Sequence, residues 1–282
     1  MTAWIIVATV VVTVAAAVRS TWSPCGLSML ASITPLSEAG RGHRFRATAA
    51  WYVVGSILGG ACLGLCVAAV TVAVDAISLT SREAILVALG ASAVAVTSDA
   101  GLGGFHLPVH HRQVNERWLD RFRPWVYGAG FGWQIGTGLA TYIMTAAVYL
   151  MIVLAALVRE PGLGVAFGVL FGLVRGLSVC LGRHITSAEA LRDFHRRFFE
   201  WGTRVGRITV AVEVMAIGLF AVLLSPWAVV VLGAGAILWV VARTPRRGSV
   251  VANGSRLRRS ETTPSGSILR SHGQHDAMGD TP

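Results

Sequence analysis

The chain has 282 residues, of which 54% are apolar and only 13% charged. Soluble domains run nearer a quarter charged, so a water-facing globule is excluded and the natural unit of length is the bilayer span of about twenty apolar residues. The net charge of +10 comes from 24 basic residues, all of them arginine, against 14 acids. In so apolar a chain this excess marks cytoplasmic loops rather than nucleic acid, and the absence of lysine fits a GC-rich bacterial genome.

The apolar runs in chain order are Trp4–Val18, continuing brokenly to Leu36, then Ala49–Val74, Ala84–Ser98, Val126–Val158, Gly162–Gly182, Ile208–Leu224 and Trp227–Ala242. Only Ser225 and Pro226 divide the last two, but thirty-five residues of helix would run roughly 50 Å, too long for one crossing. The expectation is an all-α polytopic bundle of about seven spans over residues 1–242. The first run has the small residues Ala15–Ala17 of a cleavage site, yet no positive charge precedes it, so it reads as a retained span that starts outside. Twenty arginines fall in alternate loops and the tail, beginning with Arg41, Arg44 and Arg46, while the opposite loops hold only Arg82 and Arg159. Positive loops stay inside, which predicts a plasma-membrane protein with its N-terminus outside and its C-terminus cytoplasmic.

Between the third and fourth runs, Val114, Trp118, Leu119, Phe122 and Trp125 recur at helical spacing with polar residues between them, as in a helix lying on the membrane surface. His106, His110 and His111 precede it without a supporting acid or thiol and read as solvated loop residues, so no metal and no cofactor are expected. Residues 243–282, rich in Ser, Gly, Thr and Arg, read as a disordered basic cytoplasmic tail in which His272 and His275 are only a weak metal pair.

Glycines recur four apart: Gly128, Gly132 and Gly136 in the fourth run, Gly168, Gly172 and Gly176 in the fifth, Gly55 with Gly59 and Gly60 with Gly64 in the second. Small residues at this spacing let helix backbones approach closely inside a bilayer. Two charges lie inside apolar runs, Arg175 and Glu213. Each is costly there alone, so they are expected to pair with each other or to face a polar cavity, an anion or proton site lined also by Gln134 and Thr137, with Asp99 a weaker candidate.

The first run is interrupted by Ser23-Pro24-Cys25 and again at Pro35. Proline breaks a helix, and broken helices persist in a membrane only where protein or a water-filled cavity meets the freed backbone groups. Cys25 then begins a helix segment facing the bundle interior. The phrase Thr21-Trp-Ser-Pro-Cys-Gly can be laid over Gly132-Trp-Gln-Ile-Gly-Thr, pairing Trp22 with Trp133 and Cys25 with Gly136, on spans that the charge pattern orients oppositely. That arrangement predicts two inverted three-helix repeats, about 3–98 and 126–224, plus an extra C-terminal span at 227–242.

On these residues the chain resembles the cytochrome c biogenesis and disulfide-interchange membrane family, the CcdA/DsbD type of the LysE-like transporter superfamily. The resemblance implies a disulfide between two membrane cysteines, one per repeat, that carries electrons outward from a cytoplasmic thioredoxin-like reductant. Only Cys25 carries over; Gly136 stands at the partner position. Two functions follow. The first is a transporter or exporter with a cavity between broken helices, its substrate site drawn from Pro24, Gln134, Gly136, Thr137, Arg175 and Glu213. The second is a thiol-disulfide electron conduit, of oxidoreductase type, pairing Cys25 with Cys62 or Cys66 in extracytoplasmic protein or cytochrome c maturation. A third reading is a non-catalytic membrane scaffold. No nucleotide loop, catalytic triad or metalloprotease motif is visible, so an enzyme is the less favoured class. The partner that composition itself predicts is the lipid bilayer.

Overall fold

A computed structural model describes residues 2–107, 118–138 and 143–225, and among these every regular element is helical. The expected span at 227–242, the basic tail, and His110 and His111 lie outside the described residues. Ten α-helices follow in order: α1 (Thr2–Thr21), α2 (Pro24–Ser32), α3 (Pro35–Gly40), α4 (Phe45–Ala76), α5 (Ser81–Asp99), α6 (Trp118–Arg121), α7 (Pro124–Gly136), α8 (Ala147–Leu157), α9 (Pro161–Leu177) and α10 (Ala188–Leu224). Five described helices are long and apolar enough to cross a bilayer: Ala3–Thr21, Phe45–Ala76, Ser81–Asp99, Pro161–His184 and Ala188–Leu224. The protein is a multi-pass helical membrane protein.

Proline and hydroxyl caps set most boundaries. After α1, Ser23 turns extended and accepts the Gly26 amide at 3.1 Å, and Pro24 opens α2 at a position where no backbone donor is needed. Thr34 and Pro35 repeat the device for α3, Thr80 with Glu83 caps α5, and Ser187 accepts the Ala190 amide to start α10. Two expectations are corrected by these boundaries. Val126–Val158 is not one helix but α7 and α8, because Gly138 at φ +65° stops α7 in a left-handed turn that L side chains rarely adopt. Likewise α10 begins twenty residues before Ile208: the charged stretch from Ala188 contains no proline, is capped by Ser187 and simply continues the helix.

The glycine rows weld the centre. Helix α4 lies between α7 and α9 and presents a separate small-residue face to each. Toward α7, a methyl added at Gly132 would fall 2.0 Å from the Tyr52 carbonyl oxygen, and one at Gly55 2.0 Å from that of Ala129. Toward α9, one at Gly168 would fall 2.3 Å from the Gly60 oxygen. Thr48, Tyr52 and Ser56 meet Gly128, Gly132 and Gly136 in rising order, so α4 and α7 run parallel, whereas Ser56, Gly60 and Gly64 meet α9 in falling order, so α4 and α9 are antiparallel. The Ser56 hydroxyl adds a hydrogen bond to the Gly172 carbonyl at 2.7 Å. Apolar side chains of α1, α5, α8 and α9, with Phe220 of α10, fill one core; Cys25, Met29, Tyr52, Tyr127 and Phe131 gather in a second.

Candidate functional site

Two polar features interrupt this packing. The first is Arg175, on α9, with 1% of its surface exposed. Its Nη1 donates to the Ile135 carbonyl at 2.7 Å and its Nη2 to the Ser20 carbonyl at 3.1 Å, while its guanidinium carbon lies 5.7 Å from the centre of the Phe171 ring. Ser20 lies in the last turn of α1 and Ile135 in the last turn of α7. Both helices stop inside the protein, where these two carbonyls keep only one turn-type amide each, from Ser23 and Gly138 at 3.2 Å, and carry the negative end of the dipole. Arg175 thus caps two broken helices at once. It forms no ion pair with Glu213, and the pairing expected from their positions is corrected: backbone carbonyls, not a carboxylate, balance the guanidinium.

The second feature is a cavity of about 590 Å3 bounded by the ends of α1 and α5, the start of α8 and the middle of α10. Its charged and polar lining comprises Arg19, Ser98, Asp99, His106, Thr145, Tyr149, Thr203 and Arg207. Asp99, the last residue of α5, accepts a hydrogen bond from the Thr145 hydroxyl and another from the Ala146 amide at 2.7 Å, so it caps the α8 N-terminus from a different element. Arg19 donates to the Gly202 carbonyl at 3.3 Å, close beside Gly206. Gly202 itself is packed by Trp22, whose indole N–H donates to the Phe198 carbonyl at 2.7 Å and whose ring stacks on that of Phe198 at 4.7 Å. Glu213, six residues along α10 from Arg207, is wholly buried, and its polar neighbour is the carboxyl group of Asp99.

Of the residues singled out from sequence, Asp99 and His106 line this cavity, whereas Glu213 neighbours Asp99 but is not part of the lining. Pro24 is exposed, Gln134 and Thr137 are half-buried at the end of α7, and none of the three belongs to the lining. Gly136 is buried against α4, where an added methyl would lie 2.0 Å from the Ser56 carbonyl oxygen, so no cysteine fits at the position aligned with a second redox thiol. Cys25 is buried beside Tyr52, but Cys62 and Cys66 are exposed on the outer surface of α4, ten or more residues from Tyr52 and so about 15 Å or more along the helix. Cys180 is exposed in the turn after α9, and no disulfide joins any of the four. No cluster of three metal-ligating side chains occurs among the described residues.

Sequence reasoning missed a third polar cluster. Glu38 of α3, fully buried, accepts from both the Tyr127 hydroxyl at 2.8 Å and the Thr48 hydroxyl at 2.5 Å, and pairs with Arg41 at 3.3 Å. Its signal was a lone acid three residues past the Pro35 break. Arg207 enters the sequence reading only as a topology marker and Arg19 not at all, although each lies within two turns of an intramembrane acid or a helix break.

No family model matches the sequence, and no solved structure matches it. Among curated proteins it is similar to methylamine utilization protein MauF of Paracoccus denitrificans, 30% identical over 187 residues, which are 60% of this chain and 61% of that protein. It is also 29% identical over 171 residues to MauF of Paracoccus versutus, covering 57% of this chain and 60% of that one, and 28% identical over 167 residues to MauF of Methylophilus methylotrophus, covering 57% of each. The matched part spans about three fifths of these relatives' length. The resemblance to the CcdA/DsbD type is thereby corrected: the chain's relatives carry another name, and the broken proline-cysteine span that suggested the kinship is a helix device, not a family signature.

Proposed function

We propose that the protein is a cell-membrane component of a methylamine-utilization system and moves a small polar solute through the cavity between its broken spans. The observation that carries this reading is the cavity itself: charged groups from α1, α5 and α10 surround the point where the chain between α7 and α8 leaves the helix. A polar-lined cavity beside such a break favours a polar occupant. The name borne by the relatives supplies the physiological setting.

The proposed organisation is an inverted pair of repeats, about 3–98 and 126–224, with a further span at 227–242 and a basic tail at 243–282. The extensive packing of α4 on antiparallel α9, of α5 on α10, and of α1 on α8 supports it, because each pair joins corresponding parts of the two halves. The arginine distribution supports a cytoplasmic C-terminus and an N-terminus outside.

The test is genetic. Deleting the gene in its host should abolish growth on methylamine as sole nitrogen source, and the wild-type gene should restore it. Asp99→Asn, which retains a capping oxygen for α8 but removes the charge, should reach the membrane at normal abundance and fail to restore growth. Unimpaired growth of the deletion strain on methylamine would sink the reading.

A further inference from the structure

We infer that the cavity binds a phosphate monoester, its phosphate held by the Arg19 and Arg207 guanidinium groups and the Thr203 hydroxyl around one turn of α10. This names the class of solute that the transport reading above leaves open, and it rests on that reading.

Two like charges are gathered on that turn. The Arg19 guanidinium reaches across from α1 and lies against Gly206, its carbon, Nη2 and Nε within 3.5 to 3.7 Å of where a β-carbon would stand. Its Nη1 donates to the Gly202 carbonyl at 3.3 Å, which uses one of its N–H groups and leaves the others to the cavity. Arg207 follows Gly206 directly, and Thr203 lies four residues before Arg207 on the same side of the helix. All three side chains line the cavity. Neither Arg207 nor the Thr203 hydroxyl has a hydrogen-bond or ion-pair partner among the described residues. Ion pairs among those residues occur elsewhere, at Arg41–Glu38, Arg159–Asp75 and Arg196–Asp193.

The acid in the same wall is already engaged. Asp99 accepts from the Thr145 hydroxyl through one oxygen and from the Ala146 amide through the other, so its charge faces the positive end of the α8 dipole. It acts on Arg19 electrostatically, yet no ion pair closes between the two. Glu213 lies outside the lining, against the Asp99 carboxyl group. Two guanidinium groups with donors to spare therefore stand side by side, and like charges so placed repel unless an anion enters between them.

A cation is repelled from such a wall. A carboxylate has two oxygens, which one guanidinium fork fills, leaving the second fork without a partner. The phosphate of a monoester offers a third acceptor oxygen and carries about −1.5 to −2 charge at neutral pH, so it serves both forks and the Thr203 hydroxyl at once. The ring of His106 adds a further N–H donor to the lining. At about 590 Å3 the cavity is larger than a bare phosphate needs, and Leu107, Ile143, Met144 and Val210 give the organic part of an ester an apolar wall.

Such a group reaches the cavity either on a soluble ester or on a phosphatidic-acid headgroup, and the experiment separates the two. The full chain, purified in dodecyl maltoside, is titrated calorimetrically with phenyl phosphate, dioctanoyl phosphatidic acid, sodium benzoate and methylammonium chloride. Phenyl phosphate should bind, with benzoate and methylammonium each at least about tenfold weaker. Arg207→Gln, at an exposed residue, should weaken phosphate binding at least about tenfold. Arg204→Gln, on the same helix but over Trp201 and outside the lining, should leave it unchanged. Binding of phosphatidic acid alone, with the same dependence on Arg207, upholds the monoester site and places its source in the bilayer. Benzoate or methylammonium binding as tightly as phenyl phosphate would overturn the proposal. An equal loss in Arg204→Gln would overturn it in favour of diffuse surface attraction, and so would silence from all four ligands with monodisperse protein. The growth test is separate: phosphate binding without a methylamine phenotype removes the physiological reading alone, and a phenotype without phosphate binding removes this one alone.

Discussion

Arg175 holds carbonyl oxygens from two helices that end within the protein, a task that requires a planar donor fork with widely placed N–H groups. Ser20 and Ile135 also accept the amides of Ser23 and Gly138, each at 3.2 Å, so removing the fork deletes two charge-assisted hydrogen bonds rather than every partner, each worth about 1.5–3 kcal/mol. Arg175→Met should therefore lower the melting temperature in detergent markedly, corresponding to a loss of about 2–5 kcal/mol, and Arg175→Lys, a single point donor, should recover only part of it. Fluorescence-detected size exclusion after a heat step reads this directly, and a Met variant with wild-type melting would show that the Ser23 and Gly138 amides alone suffice for those carbonyls. The buried position of Arg175 could be read from the sequence, since a charge inside an apolar run stands out. Its partners could not, because they are backbone atoms of helix ends whose locations depend on where α1 and α7 stop.

At the scale of elements, close approach of α4 to α7 and α9 was legible from glycines four apart, and the helix breaks at Ser23 and Thr34 from the prolines that follow them. The break after Gly136 was not, since the run to Val158 holds neither a proline nor a charge, and the described interruption is the left-handed Gly138. The forward extension of α10 was hidden for the opposite reason: charge masks a helix from a hydropathy reading but does not end one. The cavity escaped because it assembles α1, α5, α8 and α10 at points far apart in sequence. Glycine substitutions separate packing from propensity. Gly132→Ala and Gly168→Ala place a methyl against facing backbone and should destabilise by about 1–3 kcal/mol or more. Gly90→Ala, with nothing within 4 Å of the added methyl, should be neutral or stabilising by up to about 1 kcal/mol. Equal melting shifts at all three positions would refute the close backbone contact.

For the whole molecule, the cysteines report both redox state and topology. Non-reducing electrophoresis after oxidation of intact membranes should show no intramolecular shift, since Cys62 and Cys66 lie on the outer face of α4 away from Cys25. With a cytoplasmic C-terminus, a membrane-impermeant maleimide should reach Cys180 only after the cells are permeabilised; labelling of Cys180 in intact cells would reverse the proposed orientation. The glycine seams carry a mechanical meaning as well. Helices α4, α7 and α9 touch backbone to backbone over several turns, and surfaces interlocked at that range neither slide nor roll without carbonyls colliding. They form a stator. Helices α5 and α10 meet each other through side chains instead, and the cavity opens along their border with α1 and α8. Under the transport reading proposed above, a motion that exposes the cavity to one side and then the other falls to that pair, as a rotor turning against a fixed slab.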